Sequence, residues 1–126
     1  MAQVKNTPIE GEQRTFVARA GIIETVVKGR LTAKLVDAAA ADCERLGSGP
    51  VWLFDTVAST GFDTEIVRAV ATMLPRLKKR GLRRVVGIIP SAALRMAARA
   101  ATIASGVDIR FVERRIEVPP LLTLDE

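Results

Sequence analysis

Three features of the sequence predict a single α/β domain, built on a mostly parallel sheet with its helices packed on one side. The chain has 126 residues, which is room for one hydrophobic core and not two. Its apolar pattern alternates between short β-branched runs and stretches with the 3.6-residue period of an amphipathic helix. The connections between these segments are short, as parallel crossovers require. The order along the chain reads β-β-α-β-α-β-α-β.

Residues 1–14 mix Lys5, Pro8, Glu10 and Gly11 without apolar period and are expected to form a flexible lead-in. Residues 15–29 (TFVARAGIIETVVKG) are rich in β-branched side chains, with Ala20-Gly21 placed for a tight turn, and so predict a hairpin whose second strand covers 22–28. At Leu31-Thr32 the period changes. Thr32 suits a helix cap, with Leu31 and Val36 positioned as a hydrophobic staple. Leu35, Ala39, Cys43 and Leu46 then share one face until Gly47 stops the helix. Gly47-Ser48-Gly49 follows a helix and precedes a strand, the reverse of a phosphate-binding loop, and reads as a plain turn.

Residues 50–56 (PVWLFDT) form an almost continuous apolar run, the mark of a strand covered on both faces, and VASTG after them reads as a loop. Asp63 is expected to cap a second helix, with Phe62 and Val67 as staple and Ile66, Val70, Leu74 and Leu77 on one face. Pro75 is expected to kink or break it, since proline lacks an amide donor. Residues 84–89 (RVVGII) predict another buried strand, Pro90-Ser91 opens an alanine-rich third helix ending near Gly106, and 107–113 form the last strand. The single domain thus spans 15–113, followed by an extended proline-containing tail over 114–126.

Composition excludes much chemistry. There is no His and only one Cys, so His-based triads, His or Cys zinc sites and paired-cysteine redox centres lack their parts, and no cofactor or metal is expected. Cys43 has no His to lower its thiol pKa and, like Trp52, reads as core. No apolar run reaches the ~18 residues of a membrane span, and the polar start lacks a secretory pattern, so a cytoplasmic protein is expected. Charge is uneven: residues 1–75 carry 8 Lys+Arg against 9 Asp+Glu, residues 76–115 carry 11 against 2, and residues 116–126 carry 0 against 3. Arg76, Lys78, Lys79, Arg80, Arg83 and Arg84 fall within nine residues, and Arg95 and Arg99, four apart, extend the basic surface. Cations near a helix C-terminus also satisfy its dipole. Without aromatic residues in the run to stack on bases, an acidic or phosphorylated protein suits this patch better than specific nucleic acid.

One stretch carries a family pattern. Residues 51–67, VWLFDTVASTGFDTEIV, resemble the centre of the STAS domain, the module of anti-sigma-factor antagonists and sulfate transporter tails, in which a strand ending in an acidic or amide residue leads to Asp-Ser-Ser-Gly at a helix start. Asp55 and Asp63 have the matching separation, and Thr64 stands in the place of the serine whose phosphorylation switches partner binding. Glu65 and Ile66 replace the second Ser and the Gly, and the family's closing helix has no counterpart in the tail. The chain is also similar to divergent bacterial STAS-like proteins in which a Gly-aromatic-Asp turn, here Gly61-Phe62-Asp63, replaces the motif.

The resemblance implies a non-enzymatic signalling module that binds another protein, a kinase or an anti-sigma-like regulator, through Asp63, Thr64 and Glu65, with a homodimer left open. The plainer reading is that these three residues only complement the helix N-terminus. A different class of function, a carrier of a small apolar or lipid ligand between sheet and helices, requires an apolar cavity of ~300 Å³ or more. An enzyme would need a carboxylate such as Asp55 working with an Arg or Lys.

Overall fold

The computed structural model describes residues 11–47 and 49–124; the first ten residues of the expected lead-in and Ser48 of the expected turn lie outside them. Strands β1 (Glu12–Arg19) and β2 (Ile22–Leu31) form the hairpin, turning through Ala20-Gly21, where Gly21 adopts φ 81°. Helix α1 (Ala33–Arg45), strand β3 (Val51–Phe62), helix α2 (Ile66–Lys79), strand β4 (Arg84–Ile88), helix α3 (Ala92–Ser105) and strand β5 (Asp108–Val112) follow. The sheet order is β1-β2-β3-β4-β5, with β1 antiparallel to β2 and every later pairing parallel. The sheet is therefore mixed, and its parallel part is the part the apolar runs predicted.

Local signals place the helix ends. The Thr32 hydroxyl accepts the Leu35 amide at 3.2 Å, and the Ser91 hydroxyl accepts the Leu94 amide at 3.1 Å. Gly106 closes α3 at φ 72°, donating to the Thr102 carbonyl. Pro75 lies inside α2, and the helix continues to Lys79 without the expected break.

In the two runs expected to be buried strands, Val51, Leu53, Val85, Val86, Ile88 and Ile89 are all buried. They divide between two faces. Ile23, Val27, Trp52, Val85 and Ile89 pack under the three helices, against residues such as Val36, Leu74 and Leu94. Trp52 anchors this side: its indole N–H donates to Thr25 Oγ1 at 2.9 Å, and its ring meets Phe54 edge-on at 5.4 Å. Ile22, Val51, Leu53, Val86 and Ile88 form the opposite face.

Four segments depart from the expectation, among them β2, which runs on to Leu31 rather than ending at residue 28. β1 begins at Glu12 rather than Thr15, because its register with β2 continues to Glu12↔Lys28. β3 does not end at Thr56; VASTG stays in the strand, where Ala58, Ser59, Gly61 and Phe62 pair with 28–31 of β2 through two register irregularities. β4 pairs with β3 only as far as Asp55↔Ile88, so residues 57–62 extend past it. The described part of the tail is not extended over residues 115–122, and residues 125–126 lie outside the described residues. The tail forms short 3-10 turns at Arg115–Glu117 and Pro119–Leu122, and Val118, Leu121, Leu122 and Leu124 cover the second face of the sheet.

Candidate functional site

The start of α2 is set by the end of the β2–β3 ladder. The Asp63 amide donates to the Leu31 carbonyl at 3.0 Å, and the Asp63 and Thr64 carbonyls accept the Ile66 and Val67 amides at 3.1 and 3.2 Å. The chain thus turns from strand into helix within three residues, Asp63, Thr64 and Glu65. Thr64 and Glu65 are exposed there, and Ile66 is the first buried residue of the helix.

The expected cap does not form. No side chain caps α2, because the Asp63 carboxylate turns to the guanidinium of Arg30, 33 residues away, which donates from Nε at 2.7 Å and completes an ion pair. A full guanidinium charge outcompetes the partial charge of a helix end for a carboxylate within reach of both. Arg30 belongs to this site although no local signal marks it: it stands in a strand of mixed character, and only the Arg30↔Gly61 register places it beside the turn. Arg30 also lines an open cleft of about 550 Å³ between the extension of β3 and the start of α3, with Ser59, Thr60, Phe62 and Ser91.

Asp55, the other acidic residue of the motif, is not brought to this place. It lies buried on the tail-covered face, where its Oδ1 accepts the Val57 amide at 2.9 Å and its Oδ2 accepts Arg115 Nη2 at 2.7 Å. The same Nη2 donates to buried Glu24 at 2.6 Å, so one tail guanidinium bridges two carboxylates, and its own pKa is raised chiefly by the hydrogen bond to Glu24 and then by that to Asp55. Asp55 is thus occupied in holding the tail. Arg115 could not be read as its partner, since 60 residues separate them.

The basic patch is divided. Arg76 and Arg80 share Glu44 of α1 at 2.9 and 3.2 Å, Lys78 reaches the Gly106 carbonyl at 3.4 Å, and Lys79 is exposed at the end of α2. Arg83 is exposed in the connection to β4. Arg84 serves the tail: it pairs with Asp108 at 2.9 Å and donates to the Leu121 and Thr123 carbonyls at 2.9 and 3.1 Å. Asp108 sits below the ordinary carboxylate range; burial pushes it up, but the hydrogen bonds and charges of Arg110 and Arg84 outweigh that. Arg95 lies beyond the other end of β4, bonded to the Ile89 and Pro90 carbonyls at 2.7 and 3.1 Å, and Arg99 rests over the Phe111 ring at 5.7 Å.

Between sheet and helices lies an apolar cavity of about 70 Å³, lined by residues such as Trp52, Phe54, Val70, Leu74 and Phe111. That is well short of the ~300 Å³ a ligand carrier needs. No helix among the described residues is long and apolar enough to cross a membrane.

No family model matches the sequence, and no curated protein does either. Solved structures do match in shape. An uncharacterized protein from the DUF3478 family with a SpoIIAA-like fold, from Shewanella loihica PV-4, superimposes with a TM-score of 0.67 at 16% identity, over 93% of this chain and 98% of that one. The anti-sigma factor antagonist SpoIIAA in its unphosphorylated form gives 0.63 at 11% identity, over 89% and 99%. An anti-sigma factor antagonist from Mycobacterium paratuberculosis gives 0.55 at 14%, over 88% and 94%. Likeness at such identity speaks for architecture alone, and with the strand order and helix placement above it shows that this chain has the SpoIIAA-like, STAS-like fold.

Proposed function

We infer that the chain is a non-enzymatic regulatory module of the cytoplasm that binds another protein through the start of α2 and is switched by phosphorylation of Thr64. The observation that supports this reading is the exposure of Thr64 and Glu65 where β3 turns into α2, in a fold that two anti-sigma factor antagonists also adopt. A kinase and an anti-sigma-like regulator are the partners that follow from it.

The physical mechanism is local. A phosphate on Thr64 adds ~1.5–2 negative charges beside Glu65. The positive end of the α2 dipole stabilises them, so folding changes little. With Asp63 already paired to Arg30, the outward face of the turn goes from weakly to strongly negative. A partner that packs its own carboxylates or apolar surface there is repelled, and one that offers arginine is attracted.

The experiment uses the tagged full chain as wild type, Thr64→Ala and Thr64→Glu, recovered with bound protein from the native cell and examined by mass spectrometry. Phosphate is expected on Thr64 of the wild type. The affinity of the purified partner is expected to differ at least ~10-fold between the Ala and Glu variants, ~1.4 kcal/mol, with Tm shifted by only a few degrees. Equal affinity for the two variants overturns the switch and leaves the fold assignment standing.

A further inference from the structure

Helices α2 and α3 carry charge of one sign only. α2 has Arg68, Arg76, Lys78 and Lys79, α3 has Arg95 and Arg99, and neither contains Asp or Glu. They pack side by side on the sheet. Leu94 and Ala101 turn α3's inner side to the core, while on its outer side Met96 and Ile103 are 74% and 81% exposed. Ala93 and Ala100 are exposed as well. Positions 93, 96, 100 and 103 are spaced three, four and three, so they form one apolar stripe ~15 Å long at ~1.5 Å per residue.

Arg95 pairs with Glu113 at 3.6 Å, whereas Arg99 and Lys78, the cations that flank the stripe, are held without being neutralised. Arg99 rests over the Phe111 ring and Lys78 reaches the Gly106 carbonyl, a quadrupole and a dipole that fix position and leave the charge intact. By contrast, the cations Arg76 and Arg80 on the α1 side of α2 share the Glu44 carboxylate. We propose that the outer face of α3, flanked by Arg99 and Lys78, docks an amphipathic helix of a partner protein that carries acidic residues alongside its apolar stripe.

Charge and size select this occupant. A second copy docking through the same face would set like charges against like. A lipid surface is held by large apolar side chains, and half of this stripe is alanine. Nucleic acid would be stacked on aromatic rings, of which the stripe has none. The alanines do suit another helix, because small side chains at the crossing let two helix axes approach to ~8 Å. This surface is separate from Thr64 and does not depend on the phosphorylation reading.

The test places a photoreactive benzoylphenylalanine in the full chain at position 96 or, as control, at exposed position 34 on α1, and irradiates each in extract of the native cell. Mass spectrometry is expected to find, at 96 and not at 34, adducts to an acidic amphipathic helical segment of one protein. A synthetic peptide of that segment should bind the full chain, and combining Met96→Asp with Ile103→Asp should weaken binding at least ~10-fold. Arg99→Gln should weaken it less, with that difference shrinking in 0.5 M salt, where the screening length falls below ~5 Å. Because Met96 and Ile103 are exposed, the double variant should keep its circular dichroism and Tm, and Thr64→Glu should leave binding of this peptide unchanged. Adducts to a second copy, to lipid or to nucleic acid, adducts no more frequent at 96 than at 34, or a peptide indifferent to the double variant would each overturn the proposal.

Discussion

The two faces of the sheet are covered by different means. Under the helices, apolar side chains from three helices and four strands meet in one continuous cluster around Trp52, whose indole N–H is hydrogen-bonded to Thr25 Oγ1. On the other face a short tail lies over a smaller apolar patch, pinned at one end by Arg115 on Glu24 and Asp55 and at the other by Arg84 on the Leu121 and Thr123 carbonyls. Burial of apolar area is non-directional and cumulative, so the helical face resists loss of any one contact geometry. Charged pins are directional, and leave buried carboxylates without their counter-charge if they fail. The helical side is a core; the tail side is a cover held at two points.

The comparison can be broken most decisively at Trp52. Trp52→Ala removes the largest fully buried side chain and leaves Thr25 without its indole donor, and is expected to cost ~3–5 kcal/mol in urea unfolding. On the opposite face Leu53→Ala should fall in the lower half of ~2–5 kcal/mol, because a tail of short turns can settle into the space more easily than three packed helices can. If the two losses are equal, the tail is as rigid a cover as the helices.

Arg115→Ala sharpens the same point by leaving the packing alone. With its side chain 53% exposed, the guanidinium itself buries little, and the cost comes from Glu24 and Asp55 losing their shared donor. We expect ~1–3 kcal/mol, together with faster proteolytic cleavage after residue 114 than in the wild type. Unchanged cleavage would mean that the Leu121, Leu122 and Leu124 contacts hold the tail without the pin.

The smallest effect belongs to Asp108. Its folded pKa lies below the ordinary 3.8, so the stability it contributes is fully present above that value and lost as pH falls below it toward the folded value. Glu117, whose carboxylate accepts the Arg114 and Glu113 amides, is lowered likewise and acts in the same direction. Asp108→Asn is expected to cost less than ~1 kcal/mol at neutral pH, the scale of a solvent-screened pair. It should also flatten the loss of stability below pH ~4; an unaltered acid limb would remove Asp108 from the linkage.

Much of the fold was legible in the sequence for a local reason. Helix periodicity, the caps at Thr32 and Ser91 and the stop at Gly106 involve groups three or four residues apart, so the chain carries both partners of each contact within one short window. The buried strands at 51–56 and 84–89 likewise announce themselves, since a strand covered on both faces must be apolar throughout. The exposure of Thr64 and Glu65 agrees with their place before the first buried position of α2.

What the tertiary structure alone decided is where the charged side chains go and how far the ladder runs. Asp63 has the sequence of a cap and the geometry of an ion pair, because Arg30 arrives beside it only through the parallel register of β2 with β3. VASTG has the composition of a loop and remains strand, because β2 supplies the hydrogen bonds that its own side chains do not encode. Arg84 and Arg115 look like surface cations and prove to be the pins of the tail, with partners 24 to 91 residues away. Periodicity and capping are properties of a segment. An ion pair or a strand pairing is a property of two segments, and it exists only once the chain has brought them within a few ångströms of each other.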